Sequence, residues 1–397
     1  MIWFEIAAWA IVLFLSIPFL VLAVECFAFP GIRSVSSLQS PEGSHRSVVL
    51  IPAHNEGMNL VPTLKSAADQ LGNGNRILVV ADNCTDDTAA VARSFGVDVL
   101  ERTDSEHRGK GYALAFGRDS LRKDPPDVVI VLDADCTLGP NSLQRLSNQA
   151  LIEQRPVQAA YRMVAPDNAG PNRQVAAFAF LVKNVVRPGG LKRFGQPCLL
   201  TGTGMAFPWL AIREASLAHG HIVEDMALSI DLALDGRAPV FVDDAEVWGV
   251  FPVDDKAAGL QRKRWEHGHL SVLLVAVPRL FFGALLRRRV GLAVLALEVG
   301  VPPLSALVMV SCLVFAGLLG WALAGGPVGP AVTFAIVIGL ATIALFNIWL
   351  RFGRTILPAR SLVCLPWYAL RKAVLYLQFV THPQKAWVRT SRKAGES

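Results

Sequence analysis

The chain has 397 residues, 52% of them hydrophobic and 18% charged, with a mean hydropathy of +0.41. That is too apolar for an ordinary soluble enzyme, and the excess is concentrated in residues 2–30, 291–324 and 331–350. The net charge of +6 comes from basic residues beside those stretches, and no basic stripe with interleaved aromatics marks the middle of the chain, which excludes a nucleic-acid surface.

The first stretch contains no Lys or Arg before Arg33 and is too long for a signal-peptide core, so it reads as a retained anchor. Each apolar stretch is long enough for a helix to cross a hydrocarbon core of about 30 Å. Arg287, Arg288 and Arg289 precede the second stretch, and the connection "ALAGGPVGPAV" to the third carries no charge. Arg351, Arg354, Arg360, Arg371 and Lys372 follow the third. Basic residues stay on the cytoplasmic side. The expected topology therefore has the N-terminus outside, the globular segment and the C-terminus inside, and three spans in an inner (plasma) membrane. The expected division is a transmembrane helix over 1–32, a globular domain over 45–270, an interfacial helix over 271–290, two transmembrane helices over 291–351 and a basic interfacial segment over 360–397. Glu298, within the second stretch, should face protein and not lipid. The six cysteines have no C-x-x-C spacing and read as free thiols.

Within the globular segment, "RSVVLIPAHNEG" (46–57), "RILVVADNCTDDT" (76–88), "VDVLER" (97–102) and "DVVIVLDADCTLGP" (127–140) read as buried strands. Helix-like stretches lie between them, which predicts an α/β domain with a parallel sheet covered on both faces. Ligands bind beyond the carboxyl ends of such strands. His54, Asn55 and Glu56 follow the first strand, Asp82 and Asn83 the second, and Asp133 and Asp135 the fourth. No G-x-G-x-x-G follows the first strand and no P-loop motif occurs, so neither a dinucleotide nor a P-loop nucleotide is indicated.

Asp133 and Asp135 can both reach one cation, and oxygen-only ligation favours Mg2+ or Mn2+; an Asx-type turn closing the strand accounts for the same residues. Glu224 and Asp225 open a helix-like run, where acids also serve as caps. His221, His267 and His269 lack the spacing of a metal site.

Taken in order, "LIPAHNEG", "VVADNCTDDT", "RGKGYAL", "VLDADC", "TGTGMAF", "VEDMAL" and "QRKRW" resemble the membrane-integrated family 2 glycosyltransferases, which include cellulose and hyaluronan synthases and ceramide glucosyltransferases. The resemblance covers about residues 45–285 and the flanking helices. It implies a glycosyltransferase A-type (Rossmann-like) fold, a nucleotide-sugar donor that is most often a UDP-sugar, Mg2+ or Mn2+, and inversion at the anomeric carbon. By the same resemblance Glu56, Asp82, Lys110, Asp133, Gln261 and Arg264 would bind the donor. Asp135, with Asp133, would hold the metal, and Asp225 would be the general base. Trp265, Gly202, Thr203, Gly204 and Glu224 would shape the acceptor site.

The three expected spans carry few polar residues, too few to line a path for a hydroxyl-rich polymer. The expected reaction is one sugar transfer to a lipid or lipid-linked acceptor at the cytoplasmic membrane face, in polysaccharide or glycolipid synthesis. The alternatives are a processive synthase, for which a partner export subunit would supply the channel, and a silent nucleotide-sugar-binding subunit.

Overall fold

The computed structural model describes residues 2–32, 45–166, 169–218, 223–252 and 254–381. His221 and the basic segment beyond residue 381 lie outside these. The strands are β1 (Ser47–Ala53), β2 (Arg76–Asp82), β3 (Asp98–Arg102), β4 (Val128–Val131), β5 (Cys136–Leu138), β6 (Val157–Val164), β7 (Met205–Pro208) and β8 (Val240–Val250). The helices of the first half are α1 (Ile2–Ala28), α2 (Val61–Ala68), α3 (Thr88–Ser94), α4 (Lys110–Ser120), α5 (Ser142–Glu153), α6 (Pro171–Leu181) and α7 (Arg187–Arg193). Those of the second half are α8 (Trp209–Ile212), α9 (Glu224–Leu234), α10 (Asp255–Arg287), α11 (Val290–Val299), α12 (Leu304–Leu323), α13 (Gly329–Ile348) and α14 (Leu365–Thr381).

Two compact units result. One comprises the described residues of Gly31–Pro166 and Gly195–Arg264, and the other those of Met1–Pro30, Asp167–Phe194 and Trp265–Gln384. The first is an eight-stranded sheet in the order β3-β2-β1-β4-β7-β6-β8-β5. Strands β3, β2, β1 and β4 are mutually parallel, as their continuous apolar runs predict. Beyond β4 the sheet is mixed: β7 runs antiparallel to β4 and β6, β8 parallel to β6, and β5 antiparallel to β8. Pro52 sits in a central strand, but β1 pairs with β4 only as far as Leu50, so its missing N–H falls where only β2 is paired. Immediately past β1 and β2, Asn55 (φ 54°) and Asn83 (φ 53°) take left-handed conformations. Asn tolerates this region better than other side-chain-bearing residues, and it turns both chains sharply at the carboxyl edge.

One face of the sheet carries Val48, Leu50, Leu78, Val80, Val129 and Val131 against Leu114 of α4 and Leu228 and Leu232 of α9. This packing aims the first turns of α4 and α9, and hence Lys110, Glu224 and Asp225, at the edge where the parallel strands end.

Among the described residues, four helices are long and apolar enough to cross a membrane: Ile2–Ala28, Ala258–Arg287, Leu304–Leu323 and Gly329–Gly353. The apolar stretch 291–324 is not one helix. It breaks between α11 and α12, where consecutive prolines, Pro302 and Pro303, cannot donate backbone hydrogen bonds and disfavour helix before them. Residues 271–290, read as a separate interfacial helix, belong largely to the continuous 33-residue α10. Glu298 is buried, as its position inside an apolar stretch requires. Arg187 of α7 pairs with Glu25 of α1 and donates to the Glu298 carbonyl at 3.0 Å.

The sheet face tolerates little added bulk under α4. A Cβ on Gly117 would lie 2.5 Å from Leu50 Cδ1 and 2.9 Å from Val80 Cγ2, both on fully buried side chains. Gly117→Val should therefore destabilise the unit by about 1–3 kcal/mol through overpacking. Thermal unfolding of the purified variant checks this; an unchanged midpoint would mean that α4 moves off the sheet at no cost.

Candidate active site

The site is built at the carboxyl edge of the parallel strands. His54 Nδ1 hydrogen-bonds the Asp82 carbonyl at 2.6 Å, tying the end of β1 to that of β2. The N–H groups of Glu56 and Gly57 both donate to Thr88 Oγ1 at 2.9 Å, which fixes the loop after β1 on the first turn of α3. Asp82 accepts from Arg102 Nη1 at 2.6 Å.

Lys110, the first residue of α4, pairs with Asp133 and donates to the Gly202 carbonyl at 2.7 Å. A Cβ on Gly202 would lie 3.4 Å from both Lys110 Nζ and Asp225 Oδ2. Residues from α4, the β4 end, the loop before β7 and the start of α9 therefore converge within a few ångströms. Gly202 (φ 91°) is needed for its left-handed backbone, which side-chain-bearing residues rarely adopt.

Asp225 Oδ1 accepts the Met226 N–H at 2.8 Å, and its Oδ2 would lie 3.4 Å from a Cβ on Gly202. Thr203 is fully buried, and its Oγ1 accepts the Asp133 N–H at 3.0 Å. Gly204 is likewise enclosed, its missing Cβ lying 2.6 Å from Val247 Cγ2.

Crowded carboxylates disfavour ionisation. Burial pushes Glu224 up to about 7, with Asp225 adding to the shift and Lys110 and Arg264 opposing it. Burial also raises Asp133, against the pull of Lys110. For Lys110 burial acts downward, but Asp133, Glu224 and Asp225 together hold the ammonium above the usual lysine range.

Ligand atoms of Asp133, Asp135 and Cys136 lie within 4.8 Å of one another. Burial pushes the Cys136 thiol well above its ordinary value, and its Sγ contacts Asp135 Oδ1 at 3.5 Å and Tyr161 Oη at 3.7 Å. It stays a thiol, which leaves two carboxylates as donors. An all-oxygen pair of this kind fits a hard divalent cation that completes its shell with water and phosphate oxygens.

Gln261 and Arg264, three residues apart on α10, share a helix face. Gln261 Oε1 and Arg264 Nε are buried without hydrogen-bond partners among the described residues. Trp265 belongs to the other unit, where its ring meets Phe180 at a centroid distance of 5.8 Å. His267 Nε2 and His269 Nε2 hydrogen-bond the carbonyls of Leu375 (3.0 Å) and Val299 (3.1 Å), which is a packing role. Arg102 and Tyr112 were not singled out in the sequence; only the position of Arg102 at the end of a parallel strand marked it in advance.

The mixed Rossmann-like sheet with acids at its carboxyl edge is a glycosyltransferase A-type fold, and the chain also holds long apolar helices that fit membrane association. Residues 45–268, more than half of the chain, match the model described as glycosyltransferase like family 2, and the chain belongs to that family. It is 26% identical over 251 residues to the probable glycosyltransferase YdaM of Bacillus subtilis, covering 59% of this chain and 57% of that one. It is 33% identical over 115 residues to the 4,4'-diaponeurosporenoate glycosyltransferase of Staphylococcus aureus, covering 28% of this chain and 30% of that one. The chain thus spans less than two thirds of the length of either relative. A mannosyltransferase from Pyrobaculum calidifontis, solved with GDP-Man and Mn2+, has the same fold: TM-score 0.52, 17% identity, coverage 93% of this chain and 97% of that one.

Between pH 4.5 and about 7 the folded chain holds a proton on Glu224 that the unfolded chain releases. Its contribution to stability therefore falls as pH rises through that window, by roughly 1–3 kcal/mol. Glu224→Gln should match the wild type in melting temperature near pH 4.5 and exceed it by a few degrees at pH 8. Parallel pH profiles for the two proteins would rule this out.

Proposed function

We propose that the protein is a metal-dependent, inverting glycosyltransferase that moves one sugar from a nucleotide-sugar donor to a lipid or lipid-linked acceptor at the cytoplasmic membrane face. The observation that carries this reading is the meeting of Lys110, Asp133, Gly202 and Asp225 at one strand edge. UDP-sugars are the donors that the resemblance favours. The fold neighbour's GDP-Man puts guanosine donors in the same test panel.

Asp225 acts as the base. A sugar or lipid hydroxyl is far too weak an acid to lose its proton unaided at neutral pH, so a carboxylate must take that proton as the oxygen attacks. The Met226 N–H holds Oδ1 and leaves Oδ2 for this task. One base and no covalent intermediate give inversion, by the single-displacement logic of inverting glycosidases. Lys110 and Arg264 supply positive charge where the departing nucleoside diphosphate gains negative charge. Mg2+ or Mn2+ held by Asp133 and Asp135 would neutralise that diphosphate when bound. Trp265 offers an apolar ring face to the acceptor. The carrier lipid, as an anion, is drawn by the basic residues that flank the apolar helices.

For the membrane unit, the charge pattern favours three crossings, with α10 lying in the interface. Were α10 to cross, Arg287, Arg288 and Arg289 would emerge on the outer side, against the bias that keeps basic residues in the cytoplasm. A cysteine placed at residue 327 (Pro327→Cys) should react only with a reagent applied from outside. Labelling solely from the cytoplasm would reverse the topology.

Asp225→Asn should bind donor normally and lose turnover by at least a hundredfold, because it deletes the base and keeps the shape. Purified enzyme is incubated with radiolabelled nucleotide sugars and lipid extract, and the organic-phase product is counted. Retention of more than about a tenth of wild-type turnover would remove Asp225 from the mechanism. In the same assay Asp135→Ala should abolish metal-dependent donor binding, and full wild-type activity in excess chelator would refute the metal.

A further inference from the structure

Asp82 ends β2 with its side chain 8% exposed. Both of its hydrogen bonds fall on one oxygen: Oδ1 accepts from Arg102 Nη1 at 2.6 Å and from Asn83 Nδ2 at 3.1 Å. Oδ2 has no partner among the described residues. Arg102 ends the neighbouring strand β3 and is 10% exposed. Its second terminal nitrogen, Nη2, donates to Asp104 Oδ2 at 2.8 Å, and its guanidinium lies over the Tyr112 ring at 5.8 Å. Asn83 completes the arrangement. Its N–H donates to the Arg102 carbonyl at 2.7 Å, and its Oδ1 accepts the Asp104 N–H at 2.8 Å.

The ends of β2 and β3 are thus fastened into one piece around a single carboxylate. A guanidinium fork held by two acids and packed on an aromatic ring is fixed in plane as well as in place. Whatever it grips inherits that orientation. A lone ion pair needed only for charge balance would not require the fork, the ring and the asparagine to agree.

We infer that Arg102 is a positioning residue for donor recognition: it fixes the plane of Asp82 so that Oδ2 alone is presented to the ligand. This rests on the reading of the strand edge as a nucleotide-sugar site, and it deepens that reading. A carboxylate aimed in this way accepts and cannot donate, so the ligand group that meets it must bring an N–H or O–H. With the guanidinium removed, the carboxyl turns about its own axis, and donor binding must then bear the cost of ordering it. The loss should appear in donor affinity and not in the chemical step.

The test measures binding of UDP and GDP, each with Mn2+, to the purified full chain in detergent by titration calorimetry, together with donor KM and kcat. Arg102→Met should weaken binding of the nucleoside diphosphate that the wild type prefers by about tenfold and raise donor KM similarly, with kcat within about twofold. Arg102→Lys keeps the charge but cannot reach Asp82 and Asp104 together, so it should fall between the two; it also stands in if the methionine variant does not fold. In an Asp82→Ala background, Arg102→Met should change binding by less than about twofold, because its effect runs through Asp82. Wild-type affinity in Arg102→Met overturns the inference, as does a full tenfold loss in the Asp82→Ala background. Failure of the wild type to bind either nucleotide would instead overturn the nucleotide-sugar reading, and the inference with it.

Discussion

Four carboxylates, those of Asp133, Asp135, Glu224 and Asp225, gather at the carboxyl edge of the sheet, and positive charge among them offsets their mutual repulsion. Lys110 is that charge. It pairs with Asp133, and Glu224 and Asp225 add to the field that keeps it protonated. Burial works against the ammonium, and the acids around it prevail. Gly202 takes the left-handed backbone that turns its carbonyl to Lys110, and the buried Thr203 holds the Asp133 N–H. The helices α4 and α9 pack on one face of the sheet, so Lys110 and Asp225 are carried on helices and not on loops.

Much of this was legible in the sequence because it is local. Each parallel strand is a continuous apolar run closed by polar residues, and β1 to β4 fall where those runs predict. The mixed half of the sheet was not legible. Strand β5 is three residues long, β7 four, and their partners lie from 47 residues (Gln158 to Met205) to 113 residues (Cys136 to Gly249) away in sequence, distances over which hydrophobic periodicity is silent. The break between α11 and α12 was announced by Pro302 and Pro303, but the apolar run around them masked it. Arg102 was missed for another reason. Its meaning depends on Asp82, Asp104 and Tyr112, which only the folded sheet edge places around one guanidinium.

One of the motifs that carry the family resemblance spans a structural boundary. The Q-x-x-R-W motif divides between the two compact units, with Gln261 and Arg264 in the sheet-bearing one and Trp265 in the helical one. The next residue, Glu266, pairs with Lys372 and accepts from Tyr376 at 2.5 Å, and Tyr376 in turn meets Ser305 at 2.6 Å. A motif remembered as five letters is therefore also the place where α10 is registered against α12 and α14.

The ion pair between Glu25 and Arg187 bears on how the first helix is used. Both side chains are almost completely buried, and the backbone of α7 approaches so closely that a Cβ on Gly190 would lie 2.1 Å from the Glu25 carbonyl oxygen. Removing one partner of a buried pair leaves an uncompensated charge, at a cost of about 3–5 kcal/mol. The N-terminal helix is thus a structural subunit of the bundle and more than a tether. An unrelated hydrophobic leader of equal length would hold the chain at the bilayer yet strand Arg187 without its counter-charge. During synthesis the order is reversed: Glu25 leaves the ribosome about 160 residues before Arg187. The acid must wait at the end of α1 until the basic partner arrives to pair with it in the finished bundle.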